Sequence, residues 1–369
     1  MKAAYRRAKK IARAIAYELK LYLSVFRSKD GQPTVMILPC ASRAVGSSRL
    51  RAYNIGDYLV DHGWSTMICD ESLRLSQRKR LARLFKPDVI LIQMARHPDN
   101  LPEPFAPIPA VFDIDDADFQ DETQLARIMA NMAGCKRVIA GSRYIANWCR
   151  QHNAAVDVIW TGTDVRPGPV RSQRDRTAIV GWAAGDPVGY PREADFVLEI
   201  MRLVSARRAG TIFRLYADDG SEAYAAVVNR FRAAGIAIET RPSMAYEDFL
   251  SSLEEVAVGL NPLINMTGFS AGKSFGKVLA YLDAGVPTIN TPNVDHPLFF
   301  DHGRNGFLAG EDAAAWADLI LAMIDDAPKL QQIAEAARAD LVERLSLPAA
   351  GRRVDATLRS AIAAARRNA

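Results

Sequence analysis

The sequence has few residues of the types that form disulfides, metal sites or membrane spans. No run of about 18 apolar residues occurs in its 369 residues, which excludes a membrane-spanning helix. None of the four cysteines has CxxC spacing, so we expect reduced thiols and a cytoplasmic protein. The five histidines are scattered without a metal-binding spacing. The N-terminus lacks the small-residue cleavage site of a secretory signal.

The composition is that of a globular protein, with 49% hydrophobic and 24% charged residues. A chain of 369 residues is too long for one ordinary hydrophobic core and suits two α/β domains.

Positive charge is concentrated at the N-terminus. Residues 1–29 contain nine Lys or Arg and one acid, a net +8, so residues 30–369 carry a net −3. Apolar side chains in this segment recur at spacings of three and four, which predicts an amphipathic helix. They are Tyr5, Ala8, Ala12, Ile15, Leu19, Tyr22 and Phe26. Such a helix either lies on an anionic membrane surface, at the inner face of the cell membrane, or packs on the next domain.

A second basic cluster lies on a predicted helix of the first domain. Its members are Arg74, Arg78, Lys79, Arg80, Arg83 and Lys86. The cluster either extends the membrane-facing surface or is an ordinary solvated helix face. No aromatic-rich basic strand accompanies it, so a nucleic-acid partner is not expected.

Apolar runs alternate with helical patterns from residue 33 onward, which predicts parallel sheets covered on both faces. Predicted strands lie at residues 34–39, 65–69, 89–93, 110–114, 137–140, 157–160, 178–182, 212–216, 236–239, 256–260 and 288–290. Predicted helices lie at residues 50–62, 193–205, 222–234, 246–253 and 273–283, with a helical tail from residue 313.

A segment rich in proline, glycine and charge, residues 166–176, divides the pattern into two Rossmann-like domains. The predicted organisation is an arm at 1–30, domains at 31–165 and 177–345, and a last helix at 346–369 that can return to the first domain. Two such domains in tandem imply a central cleft, where ligands bind outside the carboxyl ends of the strands.

One loop is typical of a diphosphate site. After the strand that ends near Asn261, small residues lead into the helix predicted to begin at Lys273. The free N–H groups of a helix start attract anions, and Lys273 and Lys277 would lie one turn apart. The predicted donor-binding residues here are Gly272, Lys273, Ser274, Phe275, Gly276 and Lys277. The loop also resembles a P-loop, but three residues separate its glycines where that motif has four, so an NTPase is not favoured.

The stretch from Lys277 to Ile289, KVLAYLDAGVPTI, resembles the donor-site signature of family 4-like GT-B glycosyltransferases, K-x-L-E-Y-x-A-x-G-x-P-V-I. Residues 301–308 are similar to the family's D-G-x-N-G-x-L segment. The resemblance covers residues 33–345. It implies the GT-B fold, a nucleotide-sugar in the C-terminal domain and an acceptor in the N-terminal domain.

The chain departs from that signature at two positions. Ala280 stands where the family has a Glu that binds the donor ribose, and Gly272 stands where many members carry another Glu. The usual Arg and Lys after the first C-domain strand are missing from residues 181–190. Donor binding is then expected from Lys273, Ser274 and Lys277 together with Tyr281 or Trp182. The alternative reading of Lys277 and Tyr281 is an ordinary amphipathic helix.

Residues 40–51 of the N-terminal domain form a predicted loop at a strand end. Gly46 and Ser47 would present N–H groups, and Arg49 and Arg51 would bind a diphosphate through their forked N–H groups. Alternatively, Ser47 or Ser48 caps the next helix and the arginines are exposed.

Clustered acids follow the strand at 110–114. Asp115 and Asp116 are the predicted catalytic residues, because neighbouring carboxylates raise one another's pKa and suit a general base or an acceptor-binding role. The cluster also contains the D-x-D pattern that holds Mg²⁺ or Mn²⁺ in transferases with one nucleotide-binding domain. The second tandem domain makes that reading the less favoured one, so no cofactor is expected. The remaining alternative is that Asp118, with or without Asp116, caps the following helix.

The sequence therefore predicts an enzyme that moves a hexose from a nucleotide-diphosphate-sugar to a sugar or lipid-linked hydroxyl acceptor, in cell-surface polysaccharide or glycolipid synthesis. A non-catalytic GT-B homologue that serves as a binding or scaffold subunit is one alternative, and Ala280 and Gly272 favour it. A sugar-nucleotide epimerase of the same architecture is the other.

Overall fold

The computed structural model describes residues 15–19, 21–23, 31–264, 268–273, 275–293 and 295–367. These residues form two compact units. The first contains the described residues up to Thr163 and those from Leu347 onward, and the second runs from Asp164 to Ser346. Most of the predicted N-terminal arm, and Ser274 of the predicted donor site, lie outside the described residues.

The first unit is built on a six-stranded parallel sheet with strand order β2-β1-β3-β4-β5-β6. Its strands are β1 Thr34–Leu38, β2 Ser65–Ile68, β3 Val89–Gln93, β4 Ala110–Ile114, β5 Arg137–Ala140 and β6 Val156–Val158. The bounds of β3, β4 and β5 are those predicted. Every residue of β3 and β4 is buried, as expected for strands covered on both faces.

The helices of the first unit cover both faces of this sheet. The first, α1, continues through Gly46–Ser48, a π-helical Arg49–Tyr53 and Asn54–Asp61. The others are α2 Leu75–Phe85, α3 Glu122–Gly134 and α4 Arg143–Cys149. The prediction of a loop over residues 40–51 is wrong at its end, because α1 begins at Gly46. The buried Ser48 stabilises this early first turn by hydrogen bonds to Ala41 N and Gln93 Oε1.

The second unit contains another six-stranded parallel sheet, in the order β12-β11-β10-β7-β8-β9. Its strands are β7 Ile179–Trp182, β8 Ile212–Asp218, β9 Ile238–Pro242, β10 Val258–Asn261, β11 Thr288–Asn290 and β12 Phe307–Leu308. The two-residue β12 was not predicted. Its helices are α5 Pro191–Arg207, α6 Glu222–Ala233, α7 Tyr246–Leu253, α8 Leu279–Asp283, α9 His296–Phe299, α10 Ala313–Asp325 and α11 Ala327–Arg344.

The predicted helix over residues 273–283 is wrong in its first half. A 3₁₀ turn at Gly268–Gly272 precedes it, and the α-helix begins only at Leu279. Two causes are visible. Gly272 and Gly276 lower the helix propensity of the segment. The carbonyl of Lys273, which a helix would use to accept from residue 277, accepts instead from Asn293 Nδ2 at 2.8 Å.

The proline-rich segment before β7 belongs to the second unit and is bonded to its interior. Arg166 donates from its backbone N and from Nε to the carboxylate of Asp283, at 3.0 and 3.1 Å. Farther along, Arg176 donates to the carbonyls of Val256 and Ala284, both at 2.7 Å.

The last helix, α12 Leu347–Arg367, belongs to the first unit. Its Val354, Leu358 and Ala361 join the cluster of buried apolar residues that includes Ile37 and Leu91 of the sheet. None of the described helices is long and apolar enough to cross a membrane.

Candidate active site

Arg51 and Asp113 form a buried ion pair at the carboxyl end of β4. Arg51 is 5% exposed, and its Nε donates to Asp113 Oδ2 at 2.9 Å. Its Nη2 donates to Asp113 Oδ1, and its Nη1 donates to Ile159 O at 3.1 Å and to Thr161 Oγ1 at 3.0 Å. All three guanidinium nitrogens are therefore bonded to oxygens of the first unit itself. The predicted use of Arg51 as a diphosphate-binding arginine disagrees with this arrangement.

Asp115 follows two residues later and has a different environment. Its Oδ1 is buried and has no hydrogen-bond partner among the described residues, and its Oδ2 lies 3.9 Å from Arg51 Nε. Burial raises the pKa of Asp115 to about 7; Arg51 opposes the rise, and the carboxylates of Asp116 and Asp113 add to it. A carboxyl group with such a pKa accepts and returns a proton near neutral pH, as a general base must.

Gly141 fixes the backbone beside this carboxylate. A Cβ atom on Gly141 would lie 2.7 Å from the Cα of Asp115, a distance that real side chains do not occupy. The end of β5 thus passes directly against Asp115, and only a glycine allows that approach.

The other two acids of the cluster share one arginine. Arg96 Nη2 donates to Asp116 Oδ2 and to Asp118 Oδ1, both at 2.7 Å, and its Nε donates to Asp118 Oδ2 at 2.9 Å. These ion pairs raise the pKa of Arg96 against its burial. Sequence reasoning missed Arg96, although it lies three residues after the end of β3, where parallel strands place functional groups.

The D-x-D pattern does not gather metal ligands. Among the described residues, no group of three or more His, Cys, Asp or Glu side chains is placed to hold a metal ion.

The predicted diphosphate-binding residues of the first unit lie in the opening turn of α1. Gly46 is exposed, and Ser47 and Arg49 are half-buried. The structure shows no side-chain cap at this helix start, whose N-cap is Val45. The alternative of a Ser47 or Ser48 cap is therefore wrong.

Three predicted donor-binding side chains of the second unit belong to its interior. Tyr281 is 1% exposed; its hydroxyl donates to Gly181 O at 2.9 Å and accepts from Ala183 N at 2.8 Å. Trp182 is buried in the main apolar cluster of the unit. Phe275 is buried with Phe299, at a ring separation of 5.3 Å. These side chains are part of the interior packing of the second unit, so the predicted donor-binding role does not fit them.

Lys277 is exposed beside the loop that follows β7. Its Nζ lies 2.5 Å from the position that a Cβ on Gly185 would occupy, and Gly185 has a φ of +78°. A side chain at residue 185 would therefore displace the ammonium group as well as strain the backbone.

The side chain of Lys273 lies against Phe269. Its Nζ lies 4.3 Å from the ring centroid of Phe269, a cation–π contact. Gly272 is buried and Gly276 is exposed. Because α8 begins only at Leu279, the two lysines are not neighbours on one helix face.

A cavity of about 510 Å³ opens at the carboxyl ends of β7 and β10. It is lined by Asp186, Gly189, Tyr190, Pro191, Arg192, Glu193, Ile264, Phe269 and Ser270. The cavity thus lies between the loop after β7, the first turn of α5 and the 3₁₀ turn before Lys273. The cavity adjoins the two loops from which donor-binding residues were predicted, but Tyr190, Arg192 and Glu193 were not among those predicted residues.

No protein-family model matches the chain, and none of the curated proteins matches it. Solved structures match in fold. HepE of Anabaena, in complex with UDP and glucose, is 14% identical to this chain and has a TM-score of 0.64. The match covers 89% of this chain and 100% of the HepE chain. Sucrose-phosphate synthase from Thermosynechococcus elongatus is also 14% identical, with coverages of 90% and 100% and a TM-score of 0.70. A glycosyltransferase from Rickettsia africae is 11% identical, with coverages of 90% and 99% and a TM-score of 0.65.

At these identities the likeness concerns the fold. Together with the two six-stranded parallel sheets, it confirms the predicted GT-B architecture of two Rossmann-like units.

Proposed function

We propose that the protein is a glycosyltransferase whose donor is a nucleotide-diphosphate-sugar bound by the second unit. The observation that carries the proposal is the 510 Å³ cavity at the carboxyl ends of β7 and β10, with the exposed Lys277 against the adjoining glycine loop. Ligands of open parallel sheets bind at this edge. The ammonium group offers positive charge where the diphosphate leaves. HepE, which shares the fold, was solved with UDP and glucose.

In the proposed reaction, the first unit removes the proton of the acceptor. The acceptor oxygen forms a bond to C1 of the donor sugar, the bond from C1 to the phosphate oxygen breaks, and the nucleoside diphosphate leaves with the electron pair. The Asp115 carboxylate takes the proton of the acceptor hydroxyl. Arg51 keeps Asp113 in place behind it.

The test is turnover of a panel of nucleotide-diphosphate-sugars with release of the nucleoside diphosphate as the readout. Lys277→Ala should abolish turnover while leaving the melting temperature unchanged. Lys329→Ala, at an exposed position of α11, is the matched control. Near-normal turnover by the Lys277 variant would count against the assignment of the donor site.

A family 4-like donor site and a lipid-linked acceptor are the finer parts of the proposal. The signature from Lys277 to Ile289 supports the first. For the second, the described part of the N-terminal segment is helical and exposes Ile15, Leu19 and Leu23 at intervals of four, by 53%, 58% and 62%. Tyr17 holds this segment on the first unit through a hydrogen bond to Ile68 O at 2.8 Å.

An apolar stripe within a strongly basic segment suits an anionic membrane surface and an acceptor in a surface polysaccharide or glycolipid pathway. Flotation with phosphatidylglycerol vesicles, compared with neutral vesicles, tests it. Retained flotation by a Leu19→Glu, Leu23→Glu variant would exclude this surface.

A non-catalytic binding subunit is the second candidate. It is favoured by Ala280, which is buried where the related signature has a carboxylate. Calorimetry separates the two, since tight nucleotide-sugar binding with no turnover on any acceptor supports the subunit.

A further inference from the structure

Among the described residues that line the donor cavity, Glu193 is the acidic residue that is buried. Glu193 lies in the first turn of α5 and is 6% exposed, whereas Asp186, which also lines the cavity, is exposed. Burying a carboxylate is unfavourable unless hydrogen-bond donors compensate for the lost water. The position therefore needs an explanation beyond the ordinary preference of acids for helix N-termini.

Among the described residues, one oxygen of this carboxylate has such a donor. Glu193 Oε1 accepts from the backbone N–H of Ile264 at 3.1 Å, which ties the first turn of α5 to the chain after β10. Among the described residues no donor bonds to Oε2. Because Glu193 lines the cavity, its carboxylate is placed to accept hydrogen bonds from a group bound there.

The neighbouring side chains define the kind of occupant. Tyr190 and Phe269 are half-buried aromatic rings in the lining, and Arg192 brings a guanidinium group. A planar base can stack on an aromatic ring, and phosphates pair with cations. What remains for a buried carboxylate is a group that donates hydrogen bonds, and in a nucleotide-sugar such groups are the hydroxyls of its sugar rings.

Building on the proposed donor site, we propose that Glu193 binds hydroxyl groups of the nucleotide-sugar and supplies the carboxylate that Ala280 does not. The carboxylate is preorganised, because the hydrogen bond from Ile264 N fixes one of its oxygens at the cavity that Glu193 lines. The donors are the ribose hydroxyls or those of the transferred sugar, which have the same chemistry.

The experiment is calorimetric titration of the whole chain with UDP, GDP and ADP, with their 2′-deoxy counterparts and with the corresponding diphosphate-glucoses. Glu193→Gln is the test variant, since its amide oxygen can still accept from Ile264 N and so preserve the fold. We expect this substitution to lower the affinity for the preferred ligand about tenfold, because a charge-assisted hydrogen bond becomes a neutral one. Glu199→Gln, on the exposed face of the same helix, should leave the affinity unchanged.

The ligand series identifies which ring is bound. If Glu193 binds the 2′-hydroxyl of the ribose, the variant binds the nucleoside diphosphate more weakly even when no sugar is attached. The 2′-deoxy form then binds the wild type and the variant equally. If it binds the transferred sugar, only the diphosphate-glucose shows the loss. Equal affinities of wild type and variant for every ligand would overturn the Glu193 proposal and leave the proposed function standing. Absence of all nucleotide binding by the wild type would overturn both.

Discussion

The buried carboxyl of Asp115 should make stability and activity respond to pH in opposite directions. Its pKa is raised to about 7 in the folded chain, mainly by burial, so the folded state holds a proton that the unfolded state has already lost. Stability therefore falls as pH rises from the unfolded pKa to the folded one. Catalysis by a general base needs the ionised form, so the turnover rate should rise over the same range.

The magnitude follows from the pKa. Each pH unit between the two pKa values changes the free energy of unfolding by about 1.4 kcal/mol per proton. Between pH 5 and the folded pKa of about 7 this gives a loss of about 3 kcal/mol from this one group. Asp115→Asn replaces the carboxyl by a neutral group of the same shape and should remove the effect.

The assay is urea unfolding of wild type and Asp115→Asn at pH 5 and pH 8. Groups elsewhere titrate equally in both proteins, so the difference between the two proteins isolates Asp115. From pH 5 to pH 8, we expect the free energy of unfolding of the variant to rise by about 3 kcal/mol relative to that of the wild type. A difference that does not change with pH, or a rate of the wild type that has no inflection near pH 7, would refute the assignment of Asp115 as the buried base.

Three further results are expected. Arg51→Met should destabilise the fold by about 3–5 kcal/mol, because it leaves the Asp113 carboxylate buried without a counter-charge; urea unfolding should show recovery in the Arg51→Met, Asp113→Leu double variant. Tyr281→Phe should lower the free energy of unfolding by about 1–3 kcal/mol, since Ala183 N and Gly181 O lose their buried partner, while donor affinity measured by calorimetry changes little. Lys277→Ala should lower kcat/KM by about 100-fold or more in the donor-turnover assay with no change in melting temperature, and an equal loss in both would indicate a structural role instead.

Much of the fold could be predicted because buried parallel strands correspond to short apolar runs in the sequence. The runs VILIQ and AVFDI gave β3 and β4 with their observed bounds. The helix predicted at Lys273 is wrong partly because of the local glycines Gly272 and Gly276, and partly because of a contact that no local pattern reveals. The apolar spacing continues through the segment, but Asn293, twenty residues away, takes the carbonyl that the helix would need.

The site was harder to predict than the fold, because a side chain's role depends on partners distant in sequence. Arg51 looked available as a diphosphate ligand, yet Asp113 pairs with it across 62 residues. Tyr281 looked like a donor contact, yet its hydroxyl joins Gly181 and Ala183, about a hundred residues earlier. Glu193 was only weakly indicated by its sequence position, as an acid in the first turn of the helix that follows the first strand of its unit.

The contacts within the acidic loop favour Asp115 over Asp116 as the catalytic base. Asp116 Oδ2 already accepts from Arg96 at 2.7 Å, so one of its oxygens is engaged by a cation. Asp115 makes no such bond: its Oδ1 is buried without a partner among the described residues, and Arg51 approaches only to 3.9 Å while bonding to Asp113. A base must exchange its proton near neutral pH, and desolvation without a close cation produces that behaviour. Asp115→Asn should therefore abolish turnover, whereas Asp116→Asn should alter acceptor affinity and leave the pH profile of the rate in place.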